Sequence, residues 1–429
     1  MSASEGDRRA VSELVDRLFR TESGRMIAGL ARVFGPAHLS LVEDVVQESL
    51  VRALRVWPYE GVPERPAAWL VSVARRAAVD ALRRHALEEA KVAEVQRWAD
   101  ARVRDDDAVH AAEVDDQLRL VFACCHPALS HDSRVALTLR TLCGLSTAEI
   151  ARAFLSDEAA VAQRLVRTKR RIQEEGIPLE VPDESQLVPR LDAVLEVVYF
   201  LFNEGYAAHT GEALVRGELV DEALRLGRLL TSSPTTARPR THALLALMSF
   251  LAARSPARVD EDGEVLTLSK QDRRRWDADL LASAWRHFDA ATEGDELTAT
   301  HVECAIAACH AAAPDYASTD WVTILARYDQ LVSIAPTPVV QLNRAVALSK
   351  VRGPRVAWLE LERLTQDSTL AGYHLLWATR GLVAWQLGRL EDASRAFAEA
   401  LSRARTLPER RLLERRLAAV RVGEPPESY

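Results

Sequence analysis

The stretch Arg134–Ile172, RVALTLRTLCGLSTAEIARAFLSDEAAVAQRLVRTKRRI, decides what kind of chain this is. Ser146, followed three residues later by Glu149, is a capping box that opens a short helix with Ile150 and Ala153 on its inner face. Leu155-Ser156-Asp157 predicts a polar turn, with Ser156 or Asp157 capping a second helix. That second helix turns Val161, Leu165 and Ile172 inward. Arg164, Arg167, Thr168, Lys169, Arg170 and Arg171 are left as its candidate DNA-contacting set. Two short helices joined by a tight turn, the second one cationic, are what reading a major groove requires. Arginine makes two-pronged contacts to guanine or phosphate, and spacing of three or four keeps successive side chains on one helix face.

Working outward, apolar residues recur at helical spacing nearly everywhere, and no series of alternating strands interrupts them. The 18 glycines and 18 prolines cluster between the periodic stretches, as helix punctuation does. The expected fold is all-α. A first helical block runs over residues 8–87, and a charged stretch, 88–116, with its Asp105-Asp106-Asp107 run, predicts a partly helical linker. A second block occupies 117–175, bounded by Gly176, Pro178, Pro182 and Pro189, and an Ala/Leu-rich helical array fills 178–429.

In the first block, LVEDVVQESLVRALRVW (Leu41–Trp57) predicts an amphipathic helix whose acidic start, Glu43 and Asp44, suits the helix dipole. Asp44, Gln47 and Glu48 lie on its polar face, available to a basic partner. AAWLVSVARRAAVDALRRH (Ala67–His85) follows a proline-rich turn. Arg75, Arg76, Arg83 and Arg84 form two cationic pairs eight residues apart, about two turns, and predict one phosphate-tracking face. Trp69 either packs or stacks on unpaired bases.

The array's distal end carries a weak repeat. Trp377, Gly381, Gly388, Ala393, Phe397 and Ala400 fall at tetratricopeptide spacing, where small residues let two helices touch and aromatics fill the gap. Arg380 and Ala384 stand where that repeat prefers larger apolar residues.

The 429 residues are 27% charged with a net charge of -7, so the whole chain is not a polybasic nucleic-acid binder, and DNA contact must come from local clusters. Five cysteines, at 124, 125, 143, 304 and 309, form no regular framework and suit a reducing compartment. The N-terminus lacks the apolar core of a signal peptide, and no apolar run approaches the ~20 residues of a membrane span. A cytoplasmic location without membrane contact is expected. No GxxxxGK[ST], HExxH or GxSxG motif is present, and Cys124-Cys125-His126 fits no usual zinc spacing. No catalytic residue, metal or cofactor is expected. The polar group Asn203, Glu204, Gly205, Tyr206 and His209 reads as either a helix terminus or a pocket lining.

The helix containing EDVVQES, the PAAWLVSVARRAAVDALRR segment and the GLSTAEIA…VAQRLVRTKRRI helix-turn-helix together resemble, in order, regions 2 and 4 of the sigma-70 family. The extracytoplasmic-function (ECF) members are the nearest match. The tail, with LFNEGYAAHTGEALVRGELVDEALRLGRLL and ACHAAAPDYASTDW, resembles the tetratricopeptide-containing extension of one ECF subgroup. The resemblance implies a non-enzymatic transcription initiation subunit whose partners are core RNA polymerase, through its β and β′ subunits, and promoter DNA. It assigns Asp44, Gln47 and Glu48 to the β′ coiled coil, and Trp69 to Arg84 to melting and reading the −10 element. The second helix of the helix-turn-helix is assigned to the −35 element. The C-terminal extension is expected to contact the sigma domains and regulate them. A helix-turn-helix regulator on a tetratricopeptide scaffold, acting without polymerase docking, is the alternative.

Overall fold

A computed structural model describes residues 5–84, 89–104, 107–153, 156–206, 216–261, 263–404 and 406–425. These residues are mostly helical, and an isolated bridge pairs Val259 with Val265. The chain divides into two compact units, Met1–Val198 and Tyr199–Tyr429.

The first unit opens with α1 (Glu5–Phe34), a 3-10 turn at Pro36–His38, α2 (Leu39–Glu60) and α3 (Pro66–Arg84). It continues through α4 (Glu89–Arg104), α5 (Asp107–Cys124), α6 (His131–Thr141), α7 (Thr147–Ala153) and α8 (Glu158–Glu174), and α9 (Glu184–Tyr206) crosses into the second unit. α1 packs on α2, α4 and α5, and α3 packs on α2 and α4. On α2, Leu39, Val42, Val46, Leu50, Ala53 and Trp57 are buried along one stripe, the 3.6-residue signature of a core-facing helix. Gly61, at φ 86, stops the helix and donates its amide to the Trp57 carbonyl, a backbone shape glycine adopts without steric cost.

The charged stretch 88–116 is more regular than a partly helical linker. α4 buries Val95, Trp98 and Ala99, and a Cβ on Gly29 of α1 would overlap the Trp98 indole. α5 runs unbroken through Gln117, where the second block was expected to begin. Charge along the outer face hid an apolar inner one. α9 also joins this unit: Leu187, Leu191 and Val194 are buried, Arg190 donates to the Phe122 carbonyl at 3.0 Å, and Glu196 pairs with Arg134 at 3.4 Å.

The second unit stacks α10 (Gly217–Ser232), α11 (Pro239–Ala253), α12 (Ala278–Ala291), α13 (Ala299–Ala312), α14 (Trp321–Ile334), α15 (Pro338–Arg352), α16 (Pro354–Leu364), α17 (His374–Gln386), α18 (Leu390–Arg403) and α19 (Leu407–Arg421). Each helix packs on the next, so the core forms a series of clusters along the array. Side-chain caps from Asp277, Asp320, Thr337 and Thr406 start four of these helices, meeting amides that lack an intrahelical partner. Gly381 of α17 faces Phe397 of α18 so closely that a Cβ would sit 2.7 Å from the ring, and Ala393 and Ala400 are fully buried beside it. Arg380, which breaks the repeat pattern, lies over the Trp358 ring at 4.8 Å, a cation–π contact in place of an apolar one. Gly205 lets the start of α10 approach α9, since a Cβ there would sit 2.8 Å from the Val220 amide nitrogen. Tyr206 carries the Arg258 guanidinium 4.0 Å above its ring, and His209 lies outside the described residues.

Candidate nucleic-acid interface

The helix-turn-helix is built by its caps. The Ser146 amide donates to Glu149 at 2.7 Å and the Glu149 amide donates back to the Ser146 hydroxyl at 3.1 Å, so the capping box starting α7 is complete. Asp157 caps α8 by accepting from the Ala160 amide at 3.2 Å. Val161, Leu165, Thr168 and Ile172 form the buried side of α8, and α8 packs on α6 and α7.

The cations of α8 divide by face. Arg167, Arg170 and Arg171 are exposed and Arg164 is half-buried. Arg164, Arg167 and Arg171 line a cleft of about 420 Å³ whose opposite wall is Ser130, Asp132 and Ser133 at the N-terminus of α6. Backbone amides at a helix N-terminus and three guanidiniums together suit the acceptor groups of DNA, phosphate oxygens and guanine edges alike. Within the cleft Arg164 pairs with Asp132 at 3.4 Å, and Arg171 donates to the Ala128 carbonyl at 3.0 Å. Arg170 and Arg171 also pair with Glu174 and Glu175 one turn on. These exposed pairs contribute little stability and are readily exchanged for phosphate.

Two expected DNA-facing residues of α8 lie elsewhere. Thr168 is 4% exposed and its hydroxyl donates to the Arg164 carbonyl at 2.7 Å, so it is a packing residue. Lys169 turns inward and donates to Glu43 of α2 at 2.5 Å. Glu43 was expected to serve the dipole of α2, but α2 begins at Leu39 and places Glu43 beyond the first turn, on the buried side. Its carboxylate also accepts from the Thr141 hydroxyl at 3.1 Å, and Arg140 lies 3.9 Å away. The place of Glu43 beside Val42 and Val46 on the apolar stripe was the available signal of its burial.

On α2 itself, Asp44, Gln47 and Glu48 are exposed together. On α3, Trp69 is half-buried and meets Trp57 edge-on at 5.3 Å. Arg76 and Arg83 are exposed, and Arg75 is half-buried, 3.7 Å from Asp100 of α4. Arg76 and Arg83, seven residues apart, share a face, while the side chain of Arg84 lies outside the described residues. Cys124, Cys125 and Cys143 are buried. Burial pushes the Cys124 thiol far above its ordinary range and the Cys125 thiol up to about 11, so both stay protonated at neutral pH. Among the described residues no group of three His, Cys, Asp or Glu is arranged to hold a metal ion, and no helix is long and apolar enough to cross a membrane.

The family models for Sigma-70 region 2 and Sigma-70, region 4 match residues 19–88 and 119–172. A family of unknown function, DUF6596, matches residues 190–292. An uncharacterized protein of Rhizobium meliloti (strain 1021), R00370, is 41% identical over 369 residues, covering 85% of this chain and 86% of the relative. A probable ECF RNA polymerase sigma factor, SigI, of Mycobacterium tuberculosis (strain ATCC 25618 / H37Rv) is 28% identical over 233 residues, covering 51% of this chain and 75% of the relative. No solved structure matches this chain. The chain belongs to the family of the rhizobial protein and carries, in order, regions 2 and 4 of a sigma-70, ECF-like sigma factor.

Proposed function

We propose that the protein is an RNA polymerase sigma factor that directs promoter recognition, with a C-terminal helical domain that regulates or docks the sigma domains. The observation that carries this is one unit bearing two different surfaces: the acid and amide face of α2 at Asp44, Gln47 and Glu48, and the arginine-lined cleft of α8. A DNA-binding regulator needs the second surface and has no use for the first. In this reading α2 grips the β′ subunit, and α3 reads and melts the −10 element with Arg75, Arg76, Arg83 and Arg84. Trp69, anchored on Trp57, stacks on an unpaired base, and α8 reads the −35 element. The C-terminal array, tetratricopeptide-like at α17 and α18, contacts the sigma domains in a role required for activity. Promoter-dependent transcription with core polymerase tests the proposal, comparing full-length protein with residues 1–198. The cut falls at 198 because α9 residues up to Val198 pack in the first unit. Failure of the full-length protein to start transcription at any genomic promoter would refute the sigma reading. Equal activity of the two forms would refute the regulatory tail.

A further inference from the structure

Arg170 and Arg171 find their acids, Glu174 and Glu175, one turn on along the same helix. The acid beside Arg164 comes from another element. Asp132, on the first turn of α6, enters the arginine-lined cleft from its opposite wall, with Oδ2 3.4 Å from Nη1 of Arg164. A carboxylate in a cleft that meets DNA repels the phosphates it faces, so it works against plain affinity. α6 does not depend on it for a cap, because Ser130 holds that position and accepts from the Ser133 amide at 3.4 Å. We infer that Asp132 is a specificity-determining residue, which positions the Arg164 guanidinium for one base contact and disfavours binding that lacks it. The mounting is rigid: α6 packs on α8, with Val135, Leu137 and Leu139 buried. With Nη1 turned to Asp132, Arg164 keeps Nε and Nη2, two parallel donors of the kind a guanine edge accepts. Fixing a long side chain before DNA arrives lowers the entropy lost when the contact forms. The pair contributes little in water and more at a protein–DNA contact from which water is displaced. The inference rests on the proposed reading of α8 as a base-reading helix.

The test offers full-length protein, alone and assembled with core polymerase, a duplex library varied through the upstream promoter element. Wild type, Asp132→Ala, Asp132→Glu, Arg164→Ala and the Asp132→Ala/Arg164→Ala double variant are compared. Asp132→Ala should bind non-preferred duplexes at least as tightly as wild type, since a negative charge has left the cleft. Its preference at the base pair read by Arg164 should fall about fivefold, the lower end of what one two-pronged base contact confers. In the Arg164→Ala background the same change should leave that preference where it stands, because the two residues act through one contact. Asp132→Glu, which keeps the carboxylate, should recover part of the preference. A merely structural role at the start of α6, such as answering the helix dipole, would lower the melting temperature and weaken every sequence alike. That uniform pattern, or an unchanged preference in Asp132→Ala beside a relaxed one in Arg164→Ala, overturns the inference and leaves the reading of α8 intact. No sequence preference in wild type, or a uniform loss across the library in Arg164→Ala, overturns the reading of α8 and the inference with it.

Discussion

Replacing Gly381 by leucine should selectively damage the C-terminal array. A Cβ at this position would stand 2.7 and 2.8 Å from two carbons of the Phe397 ring, where ordinary contact is about 3.4–4 Å. The ring cannot easily yield: it is fully buried and meets Trp385 edge-on at 6.2 Å. Overpacking of this kind costs about 1–3 kcal/mol, and leucine, with three carbons beyond Cβ, belongs at the upper end. Leaving glycine inside a helix returns about 0.5–1 kcal/mol. The net expectation is about 2 kcal/mol of destabilisation, which for a unit of this size lowers its melting temperature by about 4–8 °C. Calorimetry of the full-length protein measures it. Phe397→Leu in the same chain should recover part of the loss, because the two side chains compete for one space and their effects cannot add. A Gly381→Leu protein that melts with wild type, or a double variant no better than the sum of its parts, would refute the packing argument.

Reversing charge with Asp44→Lys and Glu48→Lys should weaken binding to core polymerase at least tenfold, about 1.4 kcal/mol, in a titration against the core enzyme. Both residues are exposed, so unfolding free energy should change by no more than ~0.5 kcal/mol. Arg164→Ala should cost about 1–3 kcal/mol on the preferred upstream sequence and less on variants of it, whereas Arg170→Ala should weaken all sequences alike; binding across a promoter library separates the two. Stability should also fall in mild acid. His287 stacks on His242 with ring nitrogens 2.9 Å apart, and burial, then His242 and nearby arginines, hold its pKa down at about 4. The folded protein thus keeps this ring neutral while the unfolded chain takes up a proton near pH 6.5. Its contribution is complete above pH 6.5 and is lost as pH falls toward 4. Melting temperatures measured between pH 7 and pH 4.5 should drop less steeply for His287→Asn than for wild type, and parallel curves would exclude His287 as the cause.

The caps of the helix-turn-helix were legible in the sequence, because capping is local: Ser146, Glu149 and Asp157 meet backbone amides within four positions of themselves. The all-α fold followed from periodicity, which is likewise local, and the order of the two sigma regions from the resemblance of their motifs. The close approach of α17 and α18 at Gly381 was anticipated too, since two helices joined by a tight turn bring a fixed spacing into register, and the structure gives Phe397 as the residue met there. Charge proved a poorer guide. The acidic stretch before Gln117 reads as a linker until Trp98 is seen against Gly29, and only packing distinguishes a charged helix with one buried face from a solvated one. The cationic helix shows the limit most sharply. Six neighbouring polar residues on α8 look alike in sequence, yet Thr168 is buried, Lys169 is held by Glu43, and Arg164, Arg167 and Arg171 line a cleft. Residue type and spacing determine that a helix forms and which stripe is apolar. Which cation meets solvent and which meets a carboxylate 126 residues away is decided by the tertiary fold, because water and a buried anion compete for the same charge.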